Sequence, residues 1–220
     1  MEKIQTMIFD LDGTLLDTLA DLAASVNHAL VAHGLPPRPT AQIRQFLGNG
    51  IRSLVERSVP AGTGEGDFER VFQTFREHYV AHCLDATQPY AGIMDVLRRL
   101  HRHGISLGIV SNKLQPAVSE LADRFFKGLV DVAVGESPTV RRKPNPDAVL
   151  AALAQLGGSK DRAVYVGDSE VDIETARNAG LPCISVLWGF RDEDFLRQRY
   201  PDATYIHRPG ELLPLVGIGG

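Results

Sequence analysis

Cysteine is scarce in this chain. Cys83 and Cys183 are the only two among 220 residues, and they stand far apart in unrelated contexts. That argues for buried thiols over a disulfide and fits a reducing compartment. No apolar run approaches the roughly 20 residues of a membrane-spanning helix, so no membrane anchor is expected. The first residues lack the charged, apolar and small-residue order of a signal peptide, and a cytoplasmic location is expected. There is no basic excess: the formal net charge is -4, which leaves no electrostatic case for nucleic-acid binding. Internal repeats and low-complexity tracts are missing as well.

What is present is an ordinary globular composition, 44% hydrophobic, enough to bury a core. The length suits one larger domain, or a domain with a small companion. Ile4-Gln5-Thr6-Met7-Ile8-Phe9 is apolar enough for a buried strand. Residues 17 to 82 then read as helices only. Leu19, Leu22, Ala23, Val26 and Leu30 recur at helical spacing until Gly34. Thr40 is placed to cap a short helix through Leu47, and Asp67 to cap a long one bearing Phe68, Val71, Phe72, Phe75 and Tyr79. Between them, Gly48-Asn49-Gly50 is either a plain helix break or a lining of the substrate entrance.

From Pro89 the pattern alternates. Expected strands are Ile105 to Val110, Leu129 to Val134, Ala163 to Val166 and Cys183 to Leu187, with helices between them. Such alternation predicts an α/β fold with a doubly wound parallel sheet. Ligands bind beyond the carboxyl ends of strands in these sheets, so the strand ends are where chemistry belongs.

Those ends carry a coherent set. Asp10 and Asp12 follow the first strand, and Ser111, Asn112 and Lys113 the second. Arg141-Arg142-Lys143-Pro144-Asn145-Pro146 precedes a helix, and Gly167, Asp168, Ser169, Glu170, Val171 and Asp172 follow the fourth strand. Carboxylate oxygens suit Mg²⁺, whereas no His or Cys clusters with them to favour a softer metal. Phosphoryl transfer needs positioning and charge stabilisation. Ser111 and the backbone N–H groups of Leu11 and Asp12 are candidates to hold phosphate oxygens, with Lys143 to neutralise them. One carboxylate can act as nucleophile and the other as acid and base. Glu170 is expected to be exposed near its helix start, and Trp188 to serve packing.

Taken together, Asp10-Leu-Asp12-Gly-Thr-Leu, Ser111-Asn112-Lys113, Lys143-Pro-Asn-Pro and Gly167-Asp168-Ser-Glu-Val-Asp172 resemble the four motifs of the haloacid dehalogenase superfamily. They occur in the family order and span essentially the whole chain. The resemblance implies a Rossmann-like core, residues 1–16 and 83–220, with a helical cap, residues 17–82, inserted after the first strand. It implies Asp10 as nucleophile and Asp12 as general acid/base. Mg²⁺ would be held by Asp10, the backbone carbonyl of Asp12 and Asp168, with Asp172 helping through water or hydrogen bonds. Ser111 and Asn112 would bind phosphate, and Lys143 would bridge nucleophile and phosphate. The dehalogenases lack a carboxylate at the Asp12 position. An ester leaving group needs a proton and a halide does not, so Asp12 favours phosphoryl transfer. Phe46-Leu47-Gly48-Asn49-Gly50-Ile51 and Tyr165-Val166-Gly167-Asp168-Ser169 look most like phosphoglycolate phosphatases, whereas Ser137-Pro-Thr-Val-Arg141-Arg142 departs from that pattern.

The expected activity is thus Mg²⁺-dependent hydrolysis of a small phosphorylated metabolite, phosphoglycolate favoured. Gly48 and Asn49 are the candidate cap contacts. A phosphomutase acting on a sugar phosphate is the alternative. A receiver-like signalling module is more distant, since receivers lack a helical insertion of this length and have no use for Asp12. A monomer and a homodimer are both compatible with this reading.

Overall fold

β1 (Thr6–Phe9) runs through the middle of the larger unit, and all four of its residues are buried. The computed structural model describes residues 3–219. After β1 the chain leaves for four helices: α1 (Leu19–Ala32), α2 (Thr40–Phe46), α3 (Gly50–Ser58) and α4 (Glu65–His82). It then returns through α5 (Ile93–Arg102), β2 (Ser106–Leu114), α6 (Gln115–Phe126) and β3 (Val132–Glu136). The last part holds α7 (Asp147–Gln155), β4 (Ala163–Gly167), α8 (Glu170–Ala179), β5 (Cys183–Val186), α9 (Glu193–Arg199) and β6 (Thr204–Ile206).

The six strands form one sheet in the order β3-β2-β1-β4-β5-β6. Every paired strand is parallel, and Thr6 lies opposite Ser106 on one side and Ala163 on the other. A parallel sheet needs cover on both faces. Ile8, Val110, Val134 and Tyr165 join Val149 and Leu153 of α7 and Ala176 of α8 in one buried cluster. Met7 and Phe9, which alternate with Ile8 along β1, are also fully buried, so the opposite face is covered too. This is the Rossmann-like, doubly wound arrangement expected, with the strand order reversing about β1.

The chain divides into two compact units, one made of residues up to Leu16 and from Pro89, the other of Asp17–Gln88. The helical unit therefore runs to Gln88 and not to residue 82. Buried Asp21 explains the difference. Its carboxylate accepts the N–H of Ala86 at 2.9 Å and, from Thr87, the N–H at 2.9 Å and the hydroxyl at 2.8 Å. A paired buried carboxylate of this kind ties the returning segment to α1.

Several boundaries differ from the sequence reading. α2 begins at Thr40 itself, with Pro39 before it and no side-chain cap. α4 begins at Glu65, so Asp67 sits inside the first turn, where it meets Arg70 and still favours the helix dipole. β2 extends to Leu114, with its register to β3 shifting between Val110 and Leu114. β3 starts three residues later than expected, at Val132. β6 and α9 had no clear signal in the sequence. Cys83 and Cys183 form no disulfide, as expected, but both are half-buried and not buried.

Candidate active site

Asp10 is the first residue past β1. Its N–H still bonds the carbonyl of Val166 at 2.8 Å, so the backbone is held in line with the sheet while the carboxylate faces beyond the strand end. The chain then turns tightly. The N–H groups of Leu15 and Leu16 both donate to the Leu11 carbonyl, at 3.0 and 2.9 Å. Gly13 takes φ +87°, and a Cβ there would lie 2.6 Å from Asp168 Oδ2. Only glycine meets both demands. The Leu11 N–H, expected at a phosphate, is bonded to Asp10 Oδ1 at 2.7 Å.

Lys143 lies beneath this turn and is almost fully buried. Its ammonium has three donors and three partners: Asp10 Oδ1 at 2.8 Å, Asp172 Oδ1 at 2.7 Å and the Tyr165 hydroxyl at 3.2 Å. Asp172 is as fully engaged. Its Oδ2 accepts the Ser169 N–H at 3.0 Å and hydroxyl at 2.7 Å, closing a capping box at the start of α8. Asp168 accepts the Phe190 N–H at 2.7 Å and the Thr14 hydroxyl at 3.2 Å. Tyr165, Thr14 and Phe190 were not among the expected site residues, because each acts by supporting one of them.

Among the described residues, one group of carboxylates offers oxygens within 4.8 Å of one another: Asp10, Asp168 and Asp172, all buried. Three anions so close and so dry repel. Burial raises Asp10 well above the usual carboxylate range; Lys143 pulls it back, while Asp172 and Asp168 push it further up. Asp168 is pushed up to about 7 by burial and by Asp172. Asp172 stays below the ordinary value, because Lys143 and Ser169 outweigh its burial. Burial opposes the charge on Lys143, but Asp10 and Asp172 overcome it and raise the ammonium above its usual value. The cluster is thus short of positive charge, the condition a divalent cation relieves.

The Asp12 carboxylate is not in that cluster. It is half-buried and turned to Lys113, whose Nζ stands 3.1 Å from its Oδ1; Ser111 Oγ is 3.5 Å from its Oδ2. Ser111 and Lys113 are two apart in an extended segment and so share a face. Asn112 points the other way. Its Oδ1 accepts the Lys143 N–H at 2.8 Å and its Nδ2 donates to the Lys143 carbonyl at 3.3 Å, a two-point clamp on the backbone. Both amide atoms, expected at a phosphate, thus hold the Lys143 backbone. Gly48 and Asn49 belong to the helical unit, in the connection between α2 and α3, where Gly48 takes φ +103°.

Other expectations need correction. Glu170 is half-buried and pairs with Arg191 at 2.6 Å, because Arg191 is itself buried beside Asp168 and needs a counter-charge. Trp188 donates its indole N–H to the Thr14 carbonyl at 3.0 Å and so braces the turn after Asp10. The two arginines before Lys143 pair with nearby carboxylates, Arg141 with Asp147 and Arg142 with Glu136, each at 2.7 Å.

The family model for haloacid dehalogenase-like hydrolases matches residues 7–186, which include Asp10, Asp12, Ser111, Asn112, Lys113, Lys143, Asp168 and Asp172. The chain belongs to this family. The hydrolase is 34% identical over 219 residues to phosphoglycolate phosphatase 1 of Pseudomonas aeruginosa, covering 94% of this chain and 78% of that one. It is 36% identical over 192 residues to a phosphoglycolate phosphatase of Caulobacter vibrioides, with 86% and 81% covered. The crystal structure of a phosphoglycolate phosphatase candidate from Lactobacillus delbrueckii subsp. bulgaricus superposes with a TM-score of 0.92 at 33% identity, covering 99% of this chain and all of that one. The haloacid dehalogenase-like chain is accordingly a phosphoric monoester hydrolase resembling phosphoglycolate phosphatases. No helix among the described residues is long and apolar enough to cross a membrane.

Proposed function

We propose that this hydrolase is a Mg²⁺-dependent phosphatase of small phosphomonoesters, phosphoglycolate favoured, working through an aspartyl-phosphate on Asp10. One observation carries the reading: two carboxylates two residues apart have opposite surroundings. Asp10 is buried against Lys143 and inside the acidic cluster, whereas Asp12 is turned out of it toward Ser111 and Lys113. Two carboxylates in different environments suit two different tasks.

The oxygen-only donors fit a hard cation. Asp10, Asp168 and the backbone carbonyl of Asp12 would hold it, with Asp172 behind them, its oxygens engaged by Lys143, Tyr165 and Ser169. When bound, Mg²⁺ would supply positive charge at the phosphoryl oxygens and relieve the repulsion around Asp10. The chain does the rest. Lys143, fixed by three partners, holds Asp10 in place. An Asp10 oxygen bonds to phosphorus as the ester P–O bond breaks, and Asp12 delivers a proton to the departing alcohol. Asp12 then takes a proton from water, which attacks the aspartyl-phosphate and returns Asp10 and inorganic phosphate. Ser111, whose Oγ stands 3.5 Å from Asp12 Oδ2, is proposed to hold a phosphate oxygen.

The helical unit is proposed as the substrate-selecting cap, with Gly48 and Asn49 as its contacts. Phosphate release should be measured across a panel holding phosphoglycolate, sugar phosphates and N-acetylmuramic acid 6-phosphate, each with Mg²⁺ and with EDTA. The last compound is included because a relative 29% identical over 215 residues is an N-acetylmuramic acid 6-phosphate phosphatase. Mg²⁺-dependent release with phosphoglycolate preferred is expected. Isomerisation of a sugar phosphate without free phosphate would establish the mutase reading instead, and full release in EDTA would remove the metal.

A further inference from the structure

We infer that Lys113 reads a carboxylate on the substrate, selecting phosphate esters of α-hydroxy carboxylic acids; this rests on the phosphatase reading above.

The site contains two ammonium groups with different surroundings. Lys143 is committed to the nucleophile side, its three donors meeting Asp10, Asp172 and Tyr165. Lys113 stands on the other side. Its Nζ is 3.1 Å from Asp12 Oδ1, and its side chain is only 8% exposed. The local backbone explains the placement. The register to β3 shifts between Val110 and Leu114, where pairing resumes with Glu136, and within that irregular stretch the Lys113 N–H bonds back to Ser111 Oγ at 3.1 Å. Alternation then sends Ser111 and Lys113 toward Asp12, and Asn112 toward the Lys143 backbone.

Asp12 must reach the leaving oxygen to protonate it. A group hydrogen-bonded to the other oxygen of that carboxylate lies within about 8 Å of the leaving oxygen, two hydrogen-bond lengths plus the roughly 2.2 Å between the carboxylate oxygens. Lys113 is therefore within reach of the alcohol part of the substrate. A largely desolvated ammonium there favours an anion and disfavours an apolar group. In an α-phosphooxy acid the carboxylate carbon is two bonds from the ester oxygen, so its oxygens fall inside that reach. A hydroxyl-bearing alcohol of the same size offers no charge to pair. When the substrate carboxylate engages Lys113, the ammonium shares its donors between that carboxylate and Asp12, and Asp12 gains freedom to turn to the leaving oxygen.

The test compares phosphoglycolate with 2-hydroxyethyl phosphate, its uncharged analogue, on wild-type protein, Lys113→Gln and Lys113→Arg. The readout is the ratio of kcat/KM for the two esters on one preparation, in which any loss of folded protein cancels. Lys113→Gln should lower that preference by about 10- to 100-fold, the range of a hydrogen bond to a charged group, mainly through KM for phosphoglycolate. Lys113→Arg should restore much of it. An unchanged ratio in Lys113→Gln, with both esters slowed alike, would overturn the inference and leave the phosphatase standing, Lys113 then acting only through Asp12. No phosphate release from either ester by the wild-type protein would overturn the phosphatase reading and this inference with it.

Discussion

Lys143 Nζ stands 2.7 Å from Asp172 Oδ1, and the two side chains are 4% and 0% exposed. The pair links the connection between β3 and α7 to the first turn of α8, and Lys143 reaches on to Asp10. Removing one member of a buried pair leaves an uncompensated charge, which costs about 3–5 kcal/mol. Asp172→Ala is therefore expected to lose that much in urea unfolding, and to lose activity because Lys143 and Asp10 are no longer fixed. An unfolding midpoint equal to wild type would mean that the pair contributes nothing to stability.

Asp10 behaves differently. Burial and the neighbouring Asp172 and Asp168 charges work against its ionised form, and Lys143 opposes them without overcoming them. A neutral amide of the same shape removes that repulsion. Asp10→Asn should unfold no earlier than wild type in metal-free buffer, yet lose at least about a thousandfold in kcat, as expected when the bond-forming group is removed. Stability lost along with activity would show Asp10 to be a structural anion.

Gly189 is a position where one methyl group should be damaging. A Cβ there would lie 2.3 Å from Asp168 Cβ and 2.5 Å from the Gly13 carbonyl, and neither can retreat, since Gly13 closes the turn and Asp168 is held by Phe190. Gly189→Ala is expected to cost about 1–3 kcal/mol, the usual range for overpacking, and to weaken Mg²⁺. Calorimetric titration with Mg²⁺ checks the second part. Wild-type affinity would mean that Asp168 tolerates the push.

Within the helical unit, His28, His78 and His82 stack with centroids 4.1 and 4.3 Å apart, and Ser25 meets His78 Nδ1 at 3.0 Å. Burial first, then His28 and His82, lower the His78 pKa, with Asp85 opposing. A group with a depressed basic pKa binds fewer protons folded than unfolded, so stability falls as pH drops below the ordinary histidine value of about 6.5. Urea midpoints measured at several pH values should fall through this range, and less steeply in His78→Gln. Equal slopes for the two proteins would exclude His78 as the source.

Much of the site can be read in the sequence because the chemistry sits at strand ends. Asp10, Lys143, Asp168 and Asp172 do converge. What could not be read is which partner each polar group takes. Asn112 has the composition of a phosphate ligand, but its two amide atoms meet the Lys143 backbone, 31 residues on. Lys113 lies inside a motif, yet its partner Asp12 is 101 residues away. Gly189 carries no local signal, since its role depends on side chains packed against it from other loops. β6 has three residues and only Ile206 buried, too little pattern to distinguish it from a loop.

The central place of β1 has a kinetic consequence. Its two neighbours begin at Ser106 and Ala163, so β1 waits for roughly a hundred further residues to be synthesised before either edge is satisfied. During that interval Thr6-Met7-Ile8-Phe9 is an unpaired apolar strand, open to any other strand it meets. The helical insertion fills much of the wait with local contacts of its own, which form quickly. Misassembly in a crowded cell should therefore concentrate on incomplete chains ending before residue 163, the stage at which chaperone binding would have most effect.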